Sequence, residues 1–284
     1  MNWTVENKNI LVTGGSSGIG QATAAELASR GANVTITSRD ATRGAKAVSS
    51  ILRTTGARVS VAILDLADFA SVRAFCEKYT SGTSELAVLV NNAGGIFSSR
   101  RETVDGHEMT FATNHLGPFL LTSLLAETLL AAAQARVVNV SSVAHTSAKQ
   151  GILFDDIAWT DHKYKMMDVY GHSKLANILH ARGINDHYGP SVSAFALHPG
   201  IVATSFGGRG GSRLVRMVMK FGGRRLRSAA EGADTVVWLA TAEHIGTSEG
   251  IYFADRAPES STRFARDDEQ MERLWTVSER LVSS

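Results

Sequence analysis

Tyr170-Gly171-His172-Ser173-Lys174 sets a phenol and an ammonium group four residues apart, at the head of a helical pattern continuing through Leu175, Ile178 and Leu179. Positions i and i+4 share one helix face, so both side chains can serve a single site. A free tyrosine, with a pKa of about 10, is a poor proton shuttle at neutral pH. A neighbouring Lys⁺ and a second close positive charge favour the phenolate and lower that value. Bringing it to about 7 requires roughly 4 kcal/mol of differential stabilisation, which two cations in a partly desolvated cleft can supply. Alone, the pair is also an ordinary helix-surface combination. Arg136-Val137-Val138-Asn139-Val140-Ser141-Ser142 adds a second feature, a buried strand finishing in two hydroxyls. Open α/β sheets bind ligands at that carboxyl end.

These groups need a scaffold, and the chain is organised around Thr13-Gly14-Gly15-Ser16-Ser17-Gly18-Ile19-Gly20. Asn9-Ile10-Leu11-Val12 before it reads as a buried strand, and Ile19 to Ala28 after it as a small-residue helix ending at Gly31. Strand, glycine turn and helix form a phosphate-binding context, because helix N-termini carry unpaired N–H groups and a partial positive charge. The spacing Gly14-xxx-Gly18-x-Gly20 departs from the G-x-G-x-x-G fingerprint. In dinucleotide folds a residue about 20 positions past the glycines selects the nicotinamide cofactor. Here Ser38 ends the second strand without charge and Arg39 follows, a guanidinium able to fork onto a 2′-phosphate. NADP is therefore favoured over NAD. Asp40 fits as the N-cap of a helix beginning at Ala41. Asp65-Leu66 follows the third strand, where a carboxylate can accept from an adenine amino group, and Asn91-Asn92-Ala93-Gly94-Gly95 ends the fourth.

Strand-like runs at 9–12, 34–37, 59–64, 87–90, 136–140, 192–197 and 251–253 alternate with helical patterns. This predicts an α/β fold: one Rossmann-type doubly wound parallel sheet of about seven strands, helices on both faces, over residues 1–284. Residues 143–169 and 205–228 break the rhythm and are expected on the substrate side. Ile152, Leu153, Phe154, Ile157 and Trp159 in the first predict an apolar pocket. The second holds seven basic and no acidic residues, including Arg227, and fits a mobile lid, a membrane-surface helix through 209–227, or an acidic-ligand or subunit contact. A net charge of +2 gives no general nucleic-acid role, and no run reaches the length of a membrane span. A single cysteine, Cys76, excludes an internal disulfide framework and predicts a reducing, cytoplasmic setting. The histidines show no metal constellation, so no metal is expected.

The glycine loop, Asp65, the Asn92-Ala93-Gly94 turn and Tyr170-xxx-Lys174 together resemble the short-chain dehydrogenase/reductase family, over roughly residues 7 to 282. The resemblance implies hydride transfer between NADP(H) and a carbonyl or alcohol carbon of a small, lipophilic molecule. It implies a catalytic set of Asn114, Ser142, Tyr170 and Lys174, with Ser142 rather than Ser141 polarising the substrate oxygen and Asn114 supporting a water-linked relay to the lysine. Cofactor contacts are implied for Gly14, Ser16, Ser17, Gly18, Ile19, Gly20, Arg39, Asp65, Leu66, Asn92, Ala93, Gly94, Tyr170 and Lys174. In His198-Pro199-Gly200-Ile201-Val202-Ala203-Thr204 they fall on Pro199, Gly200, Val202 and Thr204. Thr113 to Thr122, the long gap from Ser142 to Tyr170, and Ser173 to Asn177 are similar to retinol dehydrogenases and WW-domain-containing oxidoreductases. The sequence shows neither an N-terminal membrane anchor nor a WW module, so retinoid chemistry is not implied. A homodimer or homotetramer is compatible with this reading. The alternatives are a catalytically silent nucleotide sensor or scaffold of the same fold, and an extended-family epimerase or dehydratase.

Overall fold

The computed structural model describes residues 3–202, 226–246 and 250–283. Eight strands form one sheet in the order β3-β2-β1-β4-β5-β6-β7-β8. They are β1 (Asn9–Val12), β2 (Asn33–Ser38), β3 (Ser60–Ile63), β4 (Val88–Asn91), β5 (Ala135–Val140), β6 (Val192–Leu197), β7 (Tyr252–Ala254) and β8 (Ala257–Pro258). The first seven are parallel. The eighth corrects the expected count of seven, since β8 pairs antiparallel with β7. Asp255 and Arg256 close that hairpin at φ 51° and 61°, the left-handed pair that a two-residue type I′ turn demands.

Apolar side chains on the two sheet faces build two cores. One gathers α3 (Phe69–Gly82), α5 (Gly117–Leu124), α7 (Met166–Tyr188) and α9 (Asp268–Ser283). The other gathers α1 (Gly18–Ser29), α2 (Ala41–Thr55) and α8 (Ala229–Thr241). In α1 the buried face is Gly20, Thr23, Ala24, Leu27 and Ala28, small residues that bring the helix close to the strands. Asp40 caps α2 by accepting from Arg43 N at 2.7 Å, as the sequence predicts. Between α4 (Met109–Phe111) and α5, residues Ala112–Leu116 form one widened π turn.

Strand order reverses between β1 and β4, so the loops after those strands open a crevice at the carboxyl edge of the sheet, where such folds bind ligands. Of the apolar side chains expected to form a pocket in 143–169, four are taken up by the fold. Ile152 and Trp159 are buried, and Phe154 and Ile157 pack against the core. Their apolarity is consumed by folding, with α9 supplying Gln270 to the Ile152 amide at 2.9 Å. Among the described residues no helix is long and apolar enough to cross a membrane. The lid and membrane-surface readings of 205–228 fall outside the described residues except at 226–228.

Candidate active site

The glycine loop is held by a residue that motif matching passes over. Thr13 is fully buried, and its hydroxyl donates to Val90 O at 3.2 Å while accepting from Asn92 N and Ala93 N, both at 3.0 Å. One hydroxyl thus fastens the end of β1 to the turn after β4. Gly14, at φ +63°, lies so close to that turn that a Cβ would stand 3.0 Å from Ala93 Cα. At Gly20 an added Cβ would meet Asn92 Nδ2 at 2.4 Å. The Asn92 amide donates to Thr13 O at 2.8 Å and reaches Gly14 O at 3.5 Å. Asn92 is expected from the sequence as a cofactor contact, and its Nδ2 is committed to the loop itself.

On the other flank Gly14 N donates to Thr37 Oγ1 at 3.3 Å and Gly15 N to Thr37 O at 3.1 Å. Arg39, two residues further along, therefore stands exposed beside the loop. Asp65 is half-buried, with one carboxylate oxygen accepting from Ala67 N at 3.0 Å. The Leu66 side chain is buried in the core, so only its backbone can reach a ligand. No side chain caps α1 at Ser17. By contrast α2, α3 and α8 are capped by Asp40, Asp68 and Ser228. An uncapped N-terminus beside a tight glycine turn fits a pyrophosphate.

The chemical groups meet beyond the end of β5. Ser141 and Ser142 divide the work: Ser141 Oγ donates to Lys174 O at 2.7 Å and ties the strand to α7. Ser142 Oγ accepts from Ala144 N at 3.1 Å, which leaves its own hydrogen to donate, and it is hydrogen-bonded to the Tyr170 phenol. Lys174 is 2% exposed; its Nζ donates to Val140 O at 2.9 Å and lies 5.5 Å from the Tyr170 ring centroid. Asn177 Nδ2 donates to the same carbonyl at 3.2 Å. The π turn presents Asn114, 1% exposed, whose Oδ1 accepts from Gly95 N at 2.7 Å. Its Nδ2 donates to Gly95 O and to Ser173 Oγ, both at 2.9 Å. These are long-range bonds, so Asn114 is more than a locally satisfied helix residue. Ser173, absent from the sequence-derived set, closes the circuit by donating to Tyr170 O at 2.7 Å; its only signal was a hydroxyl adjoining Lys174.

Burial reverses the expected proton balance in the cofactor-free protein. It pushes the Tyr170 phenol well above its ordinary value, with the Ser142 hydrogen bond pulling in the opposite direction. It lowers Lys174 from 10.5 to about 7. The amine is thus not yet the strong cation that the tyrosine–lysine reading assumed, because among the described residues no charge offsets its desolvation.

After β6, Pro199 and Gly200 form a turn with Gly200 at φ +74°. His198 Nδ1 accepts from Gly200 N at 3.2 Å. Arg227 clamps this turn: its N donates to Ile201 O at 2.8 Å, and Nη1 lies 3.4 Å from Pro199 O. Its guanidinium pairs with Asp255 at 2.6 and 2.9 Å. Arg227 is therefore an anchor of the site rather than one more free charge of the basic segment. Val202 lies against α8, where a Cβ on Gly232 would meet Val202 Cγ2 at 2.7 Å and Ile19 Cγ1 at 3.1 Å. Thr204 lies outside the described residues. Asp186, His187 and Glu272 have ligand atoms within 4.8 Å of one another, but all three are exposed, so they gain no role.

The sheet, crevice and hydroxyl–phenol–amine cluster define a class. The chain belongs to the short-chain dehydrogenase/reductase family of oxidoreductases, with residues 8–153 matching the short chain dehydrogenase family. Among its relatives, retinol dehydrogenase 12 of Mus musculus is 40% identical over 279 residues, spanning 98% of this chain and 87% of that protein. The crystal structure of an uncharacterized protein from Mycobacterium paratuberculosis matches with a TM-score of 0.76 and 33% identity, covering 100% of this chain and 98% of that one. A short chain dehydrogenase from Burkholderia cenocepacia, solved with NADP, gives 0.68 and 26%, covering 87% and 95%.

Proposed function

We propose that the protein is an NADP(H)-dependent oxidoreductase interconverting a carbonyl and an alcohol on a lipophilic small molecule. The observation that carries this reading is the hydrogen bond between Ser142 and the Tyr170 phenol, with Lys174 and Asn114 on the same side of the sheet. NADP(H), when bound, supplies or accepts the hydride. α1, the loop from Gly14 to Gly20, Asp65 and the Ala93-Gly94 turn would hold it, with Arg39 on the 2′-phosphate. Pro199, Gly200 and Val202 would border its nicotinamide end.

On substrate binding Ser142 turns its Oγ hydrogen from the Tyr170 phenol to the substrate oxygen and polarises the carbonyl. Tyr170 gives its phenolic proton to that oxygen as the carbinol forms, and takes one back in the reverse direction. A phenol held neutral by burial is a proton donor at neutral pH, which suits the reductive direction. Lys174, once charged, stabilises the phenolate left behind. Asn114 holds the backbone at Gly95 and, through Ser173, the turn of α7 that carries Tyr170.

Support for an apolar substrate comes from Val143, 45% exposed beside Ser142, and from Phe97, whose ring lies against Gly95. The name of the Mus musculus relative points the same way. Cys76 is a buried free thiol, and the reading takes a reducing cytoplasm as its setting. Aldehydes, ketones, steroids and retinoids should be screened with NADPH and NADH in parallel, with Tyr170→Phe as control. Oxidation of NADPH by at least one carbonyl, abolished in the variant while NADPH affinity persists, is the expected result. Cofactor binding with no turnover across the panel would instead favour a silent nucleotide sensor.

A further inference from the structure

The main-chain carbonyl of Ser142 is held twice by one residue. His145 N donates to it at 3.1 Å, and His145 Nδ1 lies 2.8 Å from the same oxygen. A carbonyl oxygen only accepts, so Nδ1 carries the hydrogen, and in the neutral ring Nε2 is a bare acceptor. Among the described residues that Nε2 is buried with no hydrogen-bond partner, in a residue only 2% exposed. The ring stands edge-on to Tyr252 with centroids 5.0 Å apart, and the Tyr252 hydroxyl lies 3.4 Å from Nδ1. His198, which accepts from Gly200 N, leans on the same tyrosine at 5.8 Å. Two imidazoles and a phenol therefore run from the backbone of Ser142 to the Pro199-Gly200 turn. Charged groups acting on the His198 end are Glu259, Asp255 and Arg227.

An imidazole buried with one ring nitrogen unpaired weakens a fold, whereas a leucine in the same volume avoids that loss. Stability alone does not account for a histidine here. What the imidazole adds is a donor at Nδ1, aimed at the peptide that carries Ser142 Oγ.

We propose that His145 is a positioning residue for the reaction proposed above: it fixes the Ser142 peptide plane, and so aims Ser142 Oγ at the substrate oxygen and the Tyr170 phenol. The inference rests on the carbonyl–alcohol reading and extends it to a residue that touches neither substrate nor cofactor. Because the Ser142 hydrogen bond lowers the phenol's affinity for its proton, a misaimed serine must raise it.

Two substitutions separate positioning from packing. His145→Leu fills the volume without a donor, while His145→Asn supplies a donor amide but leaves space. The positioning role predicts that His145→Leu folds with a melting temperature at or above wild type. Its kcat should fall about tenfold, the worth of one hydrogen bond, with KM for NADPH within twofold. The alkaline limb of its pH–rate profile should move to higher pH. His145→Asn should melt lower yet recover kcat to within about threefold, together with the wild-type limb. The opposite ranking, a fully active leucine variant beside an impaired asparagine variant, overturns the proposal and leaves His145 a packing residue. A wild-type enzyme that turns over no carbonyl sinks the parent reading; an active wild type matched by His145→Leu sinks this inference alone.

Discussion

Replacing Lys174 with methionine should make the cofactor-free protein more stable, by an amount that depends on pH in a stated way. Lys174 is 2% exposed, and burial lowers it from 10.5 to about 7. A lysine displaced that far carries a folding cost of about 4–5 kcal/mol when both states are protonated, at 1.36 kcal/mol per pH unit. The sign follows from proton counts. Below about pH 7 the amine is charged in both states and the full cost of burying it is present. Between about 7 and 10.5 the unfolded chain binds the extra proton, so stability rises with pH and the cost fades. Methionine keeps the stem's volume and removes the charge. Its loss is the bond from Nζ to Val140 O, worth about 1 kcal/mol, and Asn177 still satisfies that carbonyl. The net gain is about 2–4 kcal/mol at pH 6.5, shrinking to nothing near pH 10.5. Urea unfolding of both proteins at half-unit steps from pH 6 to 10.5 measures it. A Lys174→Met variant that is less stable at pH 6.5, or whose advantage does not change with pH, refutes the reasoning. Such a gain would show that the active-site amine weakens the fold to which it belongs.

Other consequences are as specific. Thr13→Val should destabilise by about 2–3 kcal/mol, because two N–H groups lose their acceptor and Ala93 N is left unpaired. Differential scanning calorimetry should show a melting point lower by about 4–8 °C, with Thr13→Ser near wild type. Arg39→Ala should weaken NADPH binding about tenfold or more in a fluorescence titration while leaving NADH within twofold. Arg227→Gln should cost less than about 1 kcal/mol of stability, since its pair with Asp255 is largely solvated. Its dissociation constant for NADPH should nevertheless rise about threefold as the Pro199-Gly200 turn loosens.

Much of this was legible in the chain because local rules and global fold agree. Apolar runs bounded by turn residues marked seven strands, and the Asp40 cap was readable from its position before Ala41. β8 was invisible for a physical reason: two residues have no periodicity, and an Asp-Arg turn lacks the glycine that advertises a tight hairpin. Apolarity in 152–159 was assigned to a pocket, whereas Ile152 and Trp159 are buried in the fold, because a sequence shows that they seek cover and not what covers them. Asn92 illustrates the same gap, its residue type fitting a ligand contact while its amide is bonded to Thr13 and Gly14. Thr13, Ser173, His145 and Arg227 act through partners between three and 80 residues away, which no local pattern encodes. The proton balance of Tyr170 and Lys174 depends on burial, and spacing along a helix carries no information about that.

The account turns on one event, transfer of a hydride to a carbonyl carbon beside Ser142 and Tyr170. Incubating the enzyme with NADPH deuterated at the nicotinamide C4 position and a lipophilic aldehyde or ketone tests it directly by mass spectrometry of the product. The account predicts one deuterium on the carbinol carbon from wild type and less than about 1% of that product from Tyr170→Phe at equal cofactor occupancy, a loss at the strong end of general acid catalysis. Deuterium-free alcohol, or label transfer by Tyr170→Phe at a rate near wild type, would contradict it.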